Sequence, residues 1–258
     1  MIVLFPSRTV LVEVLGFPVR WYGVLYAVGF LVGRWLLPRL QGYRGVALSA
    51  AAWDRLLTAT IIGVIAGGRL GFVFFYEPTF FLEYPWHVFA VWEGGMASHG
   101  GFIGVTLALL WFVRRERVSL LALGDIVVVP VAIGLFCGRL GNLINQELYG
   151  TVTSVPWAVA IPGVEGLRHP TAVYAMLKDM CIALVCFGCL RRRLPHGVVA
   201  GVFLLLYALL RFLVETLRDQ PYGWTDAWGI ALTRGQLLTV PIALFGAAVL
   251  WWALRKVR

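Results

Sequence analysis

Residues 197–216 read GVVAGVFLLLYALLRFLVET. Twenty residues at about 1.5 Å of rise make a helix about 30 Å long, the thickness of a bilayer's hydrocarbon core. The run is continuously apolar except for Tyr207, Arg211 and the terminal Glu215-Thr216 pair. A lipid-facing strand alternates instead, and a lone strand in hydrocarbon leaves backbone groups unsatisfied, which a helix does not. The stretch predicts a transmembrane helix with a polar stripe.

Six further spans follow from the same reading, at about 20–37, 55–76, 98–113, 120–140, 171–190 and 235–254. The chain is 60% hydrophobic and 14% charged, with mean hydropathy +0.83. Soluble domains carry about a quarter charged residues. The expected fold is therefore all-α, a single integral membrane domain over 1–258 with about seven transmembrane helices. The larger segments between spans, about 77–97 and 141–170, are expected as small external caps. The second carries Gly141, Gly150, Pro156, Pro162, Gly163 and Gly166, enough turn formers for a folded cap. No internal repeat of matched helix groups appears, which disfavours an inverted-repeat transporter.

The net charge of +9 suggests nucleic acid in a soluble protein, but here it reads as topology. One set of loops holds Arg39, Arg44, Arg114, Arg115, Arg117, Arg191, Arg192, Arg193, Arg255, Lys256 and Arg258. The opposite set holds only Arg8, Arg20, Arg168, Arg218 and Arg234, and 77–97 has three glutamates and no Lys or Arg. The positive-inside rule puts the N-terminus outside and the C-terminus in the cytoplasm, a parity that seven spans satisfy. The first 15 residues lack the basic start and long apolar run of a detachable signal. Cys137, Cys181, Cys186 and Cys189 all fall inside spans, where packing is the expected role and a disulfide framework is not.

Ionisable side chains inside a bilayer are costly, so each is a functional candidate until explained. Arg34 sits near a helix end and can snorkel. Arg69, within Gly67-Gly68-Arg69-Leu70-Gly71, must pair or face a cavity, and sequence leaves structural and functional roles equally open. Tyr207, Arg211 and Glu215 are spaced i, i+4, i+8 along one stripe, where Arg211 and Glu215 can also neutralise each other. The densest polar run is Gly138-Arg-Leu-Gly-Asn-Leu-Ile-Asn-Gln-Glu-Leu-Tyr-Gly150, in which Arg139 and Asn142 share a face if the helix continues. His99 opens Ser98-His-Gly-Gly-Phe-Ile-Gly104, and Tyr22 lies in Arg20-Trp-Tyr-Gly23. The orientation derived from loop charges alone brings Tyr22, His99, Arg139, Asn142, Arg211 and Glu215 to the same external side. That agreement argues for one site. Its guanidinium groups suit a phosphate, and an anionic lipid headgroup entering from the outer leaflet fits best. No metal-ligand spacing and no phosphate-binding glycine loop are present.

These segments, with Arg168-His-Pro-Thr171, occur together in an order and spacing that resembles the prolipoprotein diacylglyceryl transferase family, from about Arg20 to about Trp252. The resemblance implies an enzyme of the bacterial inner membrane. It implies transfer of the diacylglyceryl group of phosphatidylglycerol to the lipobox cysteine thiol of a prolipoprotein signal peptide, releasing glycerol 1-phosphate. It implies no cofactor and no metal. By matching position, Tyr22, Asn142 and Gly150 are essential, and Arg139 binds the headgroup. His99, Glu147, Tyr207, Arg211 and Glu215 are important or catalytic. In the mechanism this suggests, Arg139 and Arg211 hold the phosphate and counter charge on the departing glycerol phosphate. The thiol must become a thiolate, with His99 as proton acceptor and Tyr22 as orienting or relay group.

The chain departs from the family at Ala172, Val173 and Ala175, where Gln, Leu and Glu are common. The loss of two polar groups there leaves an inactive or divergent paralogue that binds anionic lipid or lipoprotein precursors as one alternative. An anionic lipid carrier or transporter is the other. It requires an arginine path to the cytoplasmic side, to which only Arg69 and Arg34 can contribute. His169 is expected to pack the cap.

Overall fold

A computed structural model of the 258-residue chain describes residues 9–14, 16–220, 225–227 and 230–255. A short hairpin, β1 (Val10–Val14) and β2 (Phe17–Arg20), leads into α1 (Trp21–Leu40) and a 3-10 turn (Gln41–Arg44). There follow α2 (Ala50–Phe75), the short α3 (Pro78–Glu83), α4 (Ser98–Glu116) and α5 (Leu120–Ile144). The two-residue strands β3 (Val159–Ala160) and β4 (Leu167–Arg168) pair antiparallel before α6 (Thr171–Leu190) and α7 (Val198–Thr216). A last hairpin, β5 (Thr225–Ala227) with β6 (Ile230–Leu232), precedes α8 (Arg234–Arg255).

Among the described residues six helical segments are long and apolar enough to cross a membrane: Trp21–Arg44, α2, α5, α6, α7 and α8. Large apolar side chains on them point outward, among them Leu31, Leu184, Leu209 and Leu244. In a soluble protein so much exposed leucine marks an aggregation or docking surface; on apolar helices of this length it is the face that lipid covers. The chain is an all-α, multi-pass membrane protein. The stretch expected as the third span does form a helix, α4, of 19 residues. It falls outside the set of six because Ser98-His99 at one end and Arg114, Arg115 and Glu116 at the other dilute its apolar centre.

The chain divides into two compact units, residues 37–123 and residues 1–36 with 124–258. In the first, α2 and α4 meet through glycines. A Cβ on Gly67 would lie 2.3 Å from the Gly100 carbonyl oxygen, and one on Gly104 1.9 Å from that of Gly63. Such contact is closed to any other residue, and small-residue seams are how membrane helices gain dispersion contacts where lipid removes the hydrophobic drive. At the far end Arg55 bonds Glu116 at 2.7 Å, and the buried Trp53 stacks on Phe112.

Arg69 belongs to this unit, and its surroundings settle the choice left open by sequence. Its guanidinium is buried and donates to the carbonyls of His87, Val88, Gly94 and Gly95, with the Phe81 ring 5.1 Å away. Ala97 N–H adds a bond to the Gly68 carbonyl at 2.8 Å. Arg69 is the peg that fastens segment 77–97 to α2. That segment turns Leu82, Trp86 and Trp92 outward, each about four-fifths exposed (82%, 82% and 80%), a composition suited to a membrane interface.

In the second unit α1 and α5 approach at Gly29 and Gly134, and α7 packs on α8 at Gly201 and Gly246. Asp125, fully buried in α5, accepts from the N–H groups of Gly197 at 3.0 Å and Ala200 at 2.8 Å. The first turn of a helix has unpaired donors, and α7 has no side-chain cap of its own, so Asp125 supplies one from another helix.

Candidate active site

The polar run at the end of α5 folds back on itself. The helix continues to Ile144, four residues past the expected end of the span, so Arg139 and Asn142 stand one turn apart on one face. Beyond it Gln146 and Leu148 adopt left-handed backbones, at φ 56° each. For non-glycine residues this costs about 1 kcal/mol or more apiece. Surrounding bonds hold the turn, with Glu147 N–H donating to the Asn142 carbonyl (2.9 Å) and Thr171 Oγ1 to the Leu148 carbonyl (2.5 Å). The turn returns the Glu147 carboxylate to α5, where it accepts from Asn145 Nδ2 at 2.9 Å and from Asn142 Nδ2 at 3.3 Å.

Asn142 is the junction of the site. It is buried, its Oδ1 accepts from Arg139 Nη1 at 3.2 Å, and its Nδ2 reaches Tyr22 Oη at 2.5 Å. Tyr22 lies at the start of α1, its ring against Gly141, where a Cβ would sit 3.3 Å from the ring. One hydrogen-bonded chain therefore joins Tyr22, Asn142, Arg139 and Glu147 across two helices.

On the far wall stands the α7 stripe. Arg139 and Asn142 of α5, Ala172, Ala175 and Lys178 of α6, and Arg211, Glu215 and Arg218 at the end of α7 line one cavity of about 30 Å³. Four cations and one carboxylate thus face one small, partly open space. Arg211 and Glu215 approach only to 3.9 Å, a loose version of the self-neutralising pair their spacing allows. Glu215 is shared with Arg218 at 3.6 Å, so it cannot fully neutralise both guanidinium groups. Burial pushes Arg218 below the ordinary value for arginine; Glu215 opposes the shift, and Arg211 and Arg139 add to it. The crowding of like charge in a poorly hydrated space is what an anionic ligand relieves.

The cap beside this cavity is built on Gly150. Its N–H donates to the His169 carbonyl at 3.0 Å and its backbone bridges to Arg218. A Cβ there would lie 2.6 Å from both His169 Cβ and the Leu217 carbonyl oxygen. The role of Gly150 is close backbone approach, which brings the segment carrying Arg218 against the turn carrying Glu147. His169 Nδ1 lies 3.1 Å from Tyr174 Oη, which also accepts from Trp157 Nε1 at 2.7 Å. His169 sits in cap packing.

Of the residues singled out from sequence, Tyr22, Arg139, Asn142, Glu147, Arg211 and Glu215 come together here. Tyr207 joins through Lys178, whose Nζ lies 4.6 Å from its ring centre. His99 is in the first turn of α4, in the other unit, and its side chain lies outside the described residues. Lys178 and Arg218 were not singled out. Arg218 stands seven residues beyond Arg211, prolonging the stripe. Lys178 is a lysine near the middle of an apolar span, the same signal that marked Arg69.

The profile of a family described as prolipoprotein diacylglyceryl transferase matches residues 9–252. A phosphatidylglycerol–prolipoprotein diacylglyceryl transferase of Geobacter sulfurreducens is 42% identical over 229 residues, 88% of each chain. The protein of that name from Pseudoalteromonas atlantica is 41% identical over 92% of this chain and 86% of its own, and that of a Wolbachia strain 40% over 92% and 91%. The polytopic helical fold, the Arg139–Asn142–Tyr22 junction and these matches along nearly the whole length agree: the chain belongs to the prolipoprotein diacylglyceryl transferase family.

Proposed function

We propose that this protein transfers the diacylglyceryl group of phosphatidylglycerol to the lipobox cysteine thiol of prolipoproteins, the first step of lipoprotein maturation, with the cavity between α5, α6 and α7 as headgroup site. The observation that carries the assignment to this cavity is that Arg139 and Arg211, 72 positions apart in sequence, line the same small space. Two guanidinium groups on one phosphate give directional, charge-assisted bonds that a scattered pair cannot.

The thiolate sulfur attacks the glycerol carbon of the diacylglyceryl group that bears the phosphate ester. A sulfur–carbon bond forms, and the carbon–oxygen bond breaks with its electron pair passing to the phosphate oxygen. A phosphodiester with one negative charge leaves as a phosphomonoester with two, so charge grows at the phosphate as the bond breaks. Arg139 and Arg211, fixed before reaction, stabilise that charge without reorganisation. Asn142 aligns Arg139 and presents the Tyr22 hydroxyl, and Glu215, shared between Arg211 and Arg218, keeps both guanidinium groups at the cavity and screens their mutual repulsion. Removal of the thiol proton is assigned to His99 on sequence grounds.

The membrane topology that goes with this reading has α4 as a seventh crossing, the N-terminus on the periplasmic side and the C-terminus in the cytoplasm. The site residues then lie near the periplasmic leaflet. The test is purified protein incubated with phosphatidylglycerol vesicles and a lipobox peptide, and repeated with Arg139→Ala and His99→Gln. A diacylglyceryl mass gain on the peptide cysteine, lost in Arg139→Ala, supports the assignment; lipid binding without mass gain contradicts it. An unchanged rate and pH profile in His99→Gln removes that residue from proton transfer.

A further inference from the structure

Lys178 is, with Arg218, one of two cations of the cavity wall to which the chemistry above gives no contact with the phosphate. It lies on α6 with Ala172 and Ala175 at i−6 and i−3, and all three line the cavity. Two alanines on that face leave room for a long side chain to lie along the helix toward the phosphate site. Lys178 is 7% exposed and its neighbour Asp179 is 1% exposed. Lys178 Nζ donates to Asp179 Oδ1 and rests over the Tyr207 ring. An ammonium group has three donors, and this arrangement uses one on a carboxylate and turns one side to an aromatic face. Asp179 Oδ2 is buried with no hydrogen-bond partner among the described residues.

A buried ion pair between adjacent helix residues is a poor way to stabilise a membrane helix. Apolar residues of similar volume do as well or better, because both ions must lose water. What such a pair supplies is a charge that can be redirected. We propose that Lys178 is a phosphate ligand of this cavity, held on Asp179 before reaction and turned onto the departing glycerol phosphate as its second charge develops. The proposal rests on the diacylglyceryl transfer reading. It gives the leaving group a third contact beside the two arginines, a mobile point charge rather than a fixed fork.

The experiment uses the full chain in phosphatidylglycerol vesicles with a lipobox peptide, following rate and inhibition by added glycerol 1-phosphate. Lys178→Met alone strands a buried carboxylate, so the informative variant is Lys178→Met with Asp179→Asn, which neutralises both. The expected result is a normally folded protein whose kcat falls about tenfold or more while KM for phosphatidylglycerol moves little, and whose product inhibition weakens by a similar factor. Asp179→Asn alone, which frees the ammonium group, is expected to tighten product inhibition severalfold, and it tests the idea even if the double variant does not fold. Parental kcat and inhibition in the double variant, or unchanged product inhibition in Asp179→Asn, overturn the proposal and leave the pair as packing. Absence of transfer by the unaltered protein overturns the functional reading itself and is a separate result.

Discussion

Asn142 Nδ2 lies 2.5 Å from Tyr22 Oη, across 120 positions of sequence, while Asn142 Oδ1 accepts from Arg139. Through one buried amide, a tyrosine at the start of α1 and an arginine near the end of α5 fix each other's position. Tyr22→Phe removes the hydroxyl and leaves the amide with an unpaired donor. The unpaired donor is expected to lower stability by about 1–3 kcal/mol, and the loosened Arg139 to lower kcat/KM roughly tenfold, about 1.4 kcal/mol of transition-state stabilisation. Steady-state transfer to a lipobox peptide checks it.

Gly150→Ala is expected to act through structure. The new methyl meets His169 Cβ and two backbone carbonyl oxygens, none of which is the flexible end of a side chain. Relief requires the cap to separate from the segment after α7, at about 1–3 kcal/mol. Thermal unfolding in detergent should shift down, and transfer should fall with it because Arg218 moves away from the cavity.

Arg69→Lys should lower stability without altering lipid selectivity. A lysine cannot reproduce the fork that reaches four carbonyls, and the carbonyls left without donors cost about 1–3 kcal/mol each in a buried setting. The measurable sign is protease cleavage within 77–97 at temperatures where the parent resists it.

Asp125→Ala leaves the α7 N-terminus without its two borrowed acceptor contacts. A lost cap costs about 1–2 kcal/mol, and hydrogen exchange over the first turn of α7 should quicken while the far end of the helix, with Arg211, stays protected.

Most of the fold was legible because hydrocarbon imposes one rule: apolar runs of about 20 residues become helices. The spans at 171–190 and 197–216 match α6 and α7 nearly to the residue. The end of α5 was less legible. Gly141 and the polar residues after it read as the start of a loop, whereas bonds to a distant tyrosine and a returning glutamate carry the helix through Asn142. Tyr22, Arg139, Asn142, Arg211 and Glu215 stood out as candidates because polarity inside a span has few explanations. Arg69 shows the other side of that rule, since its partners are backbone carbonyls, which no side-chain pattern announces. Lys178 was visible by the same rule, but Asp179 beside it reads as simple neutralisation until the cavity shows which way the ammonium group can turn.

The claim that Arg139 and Arg211 act on a single phosphate is tested most directly by a double-mutant cycle. Arg139→Gln, Arg211→Gln and the double variant are compared by kcat/KM for phosphatidylglycerol. If both guanidinium groups share one ligand, the two losses are strongly non-additive, with a coupling of about 1 kcal/mol or more. Losses that add to within about 0.5 kcal/mol contradict the shared site.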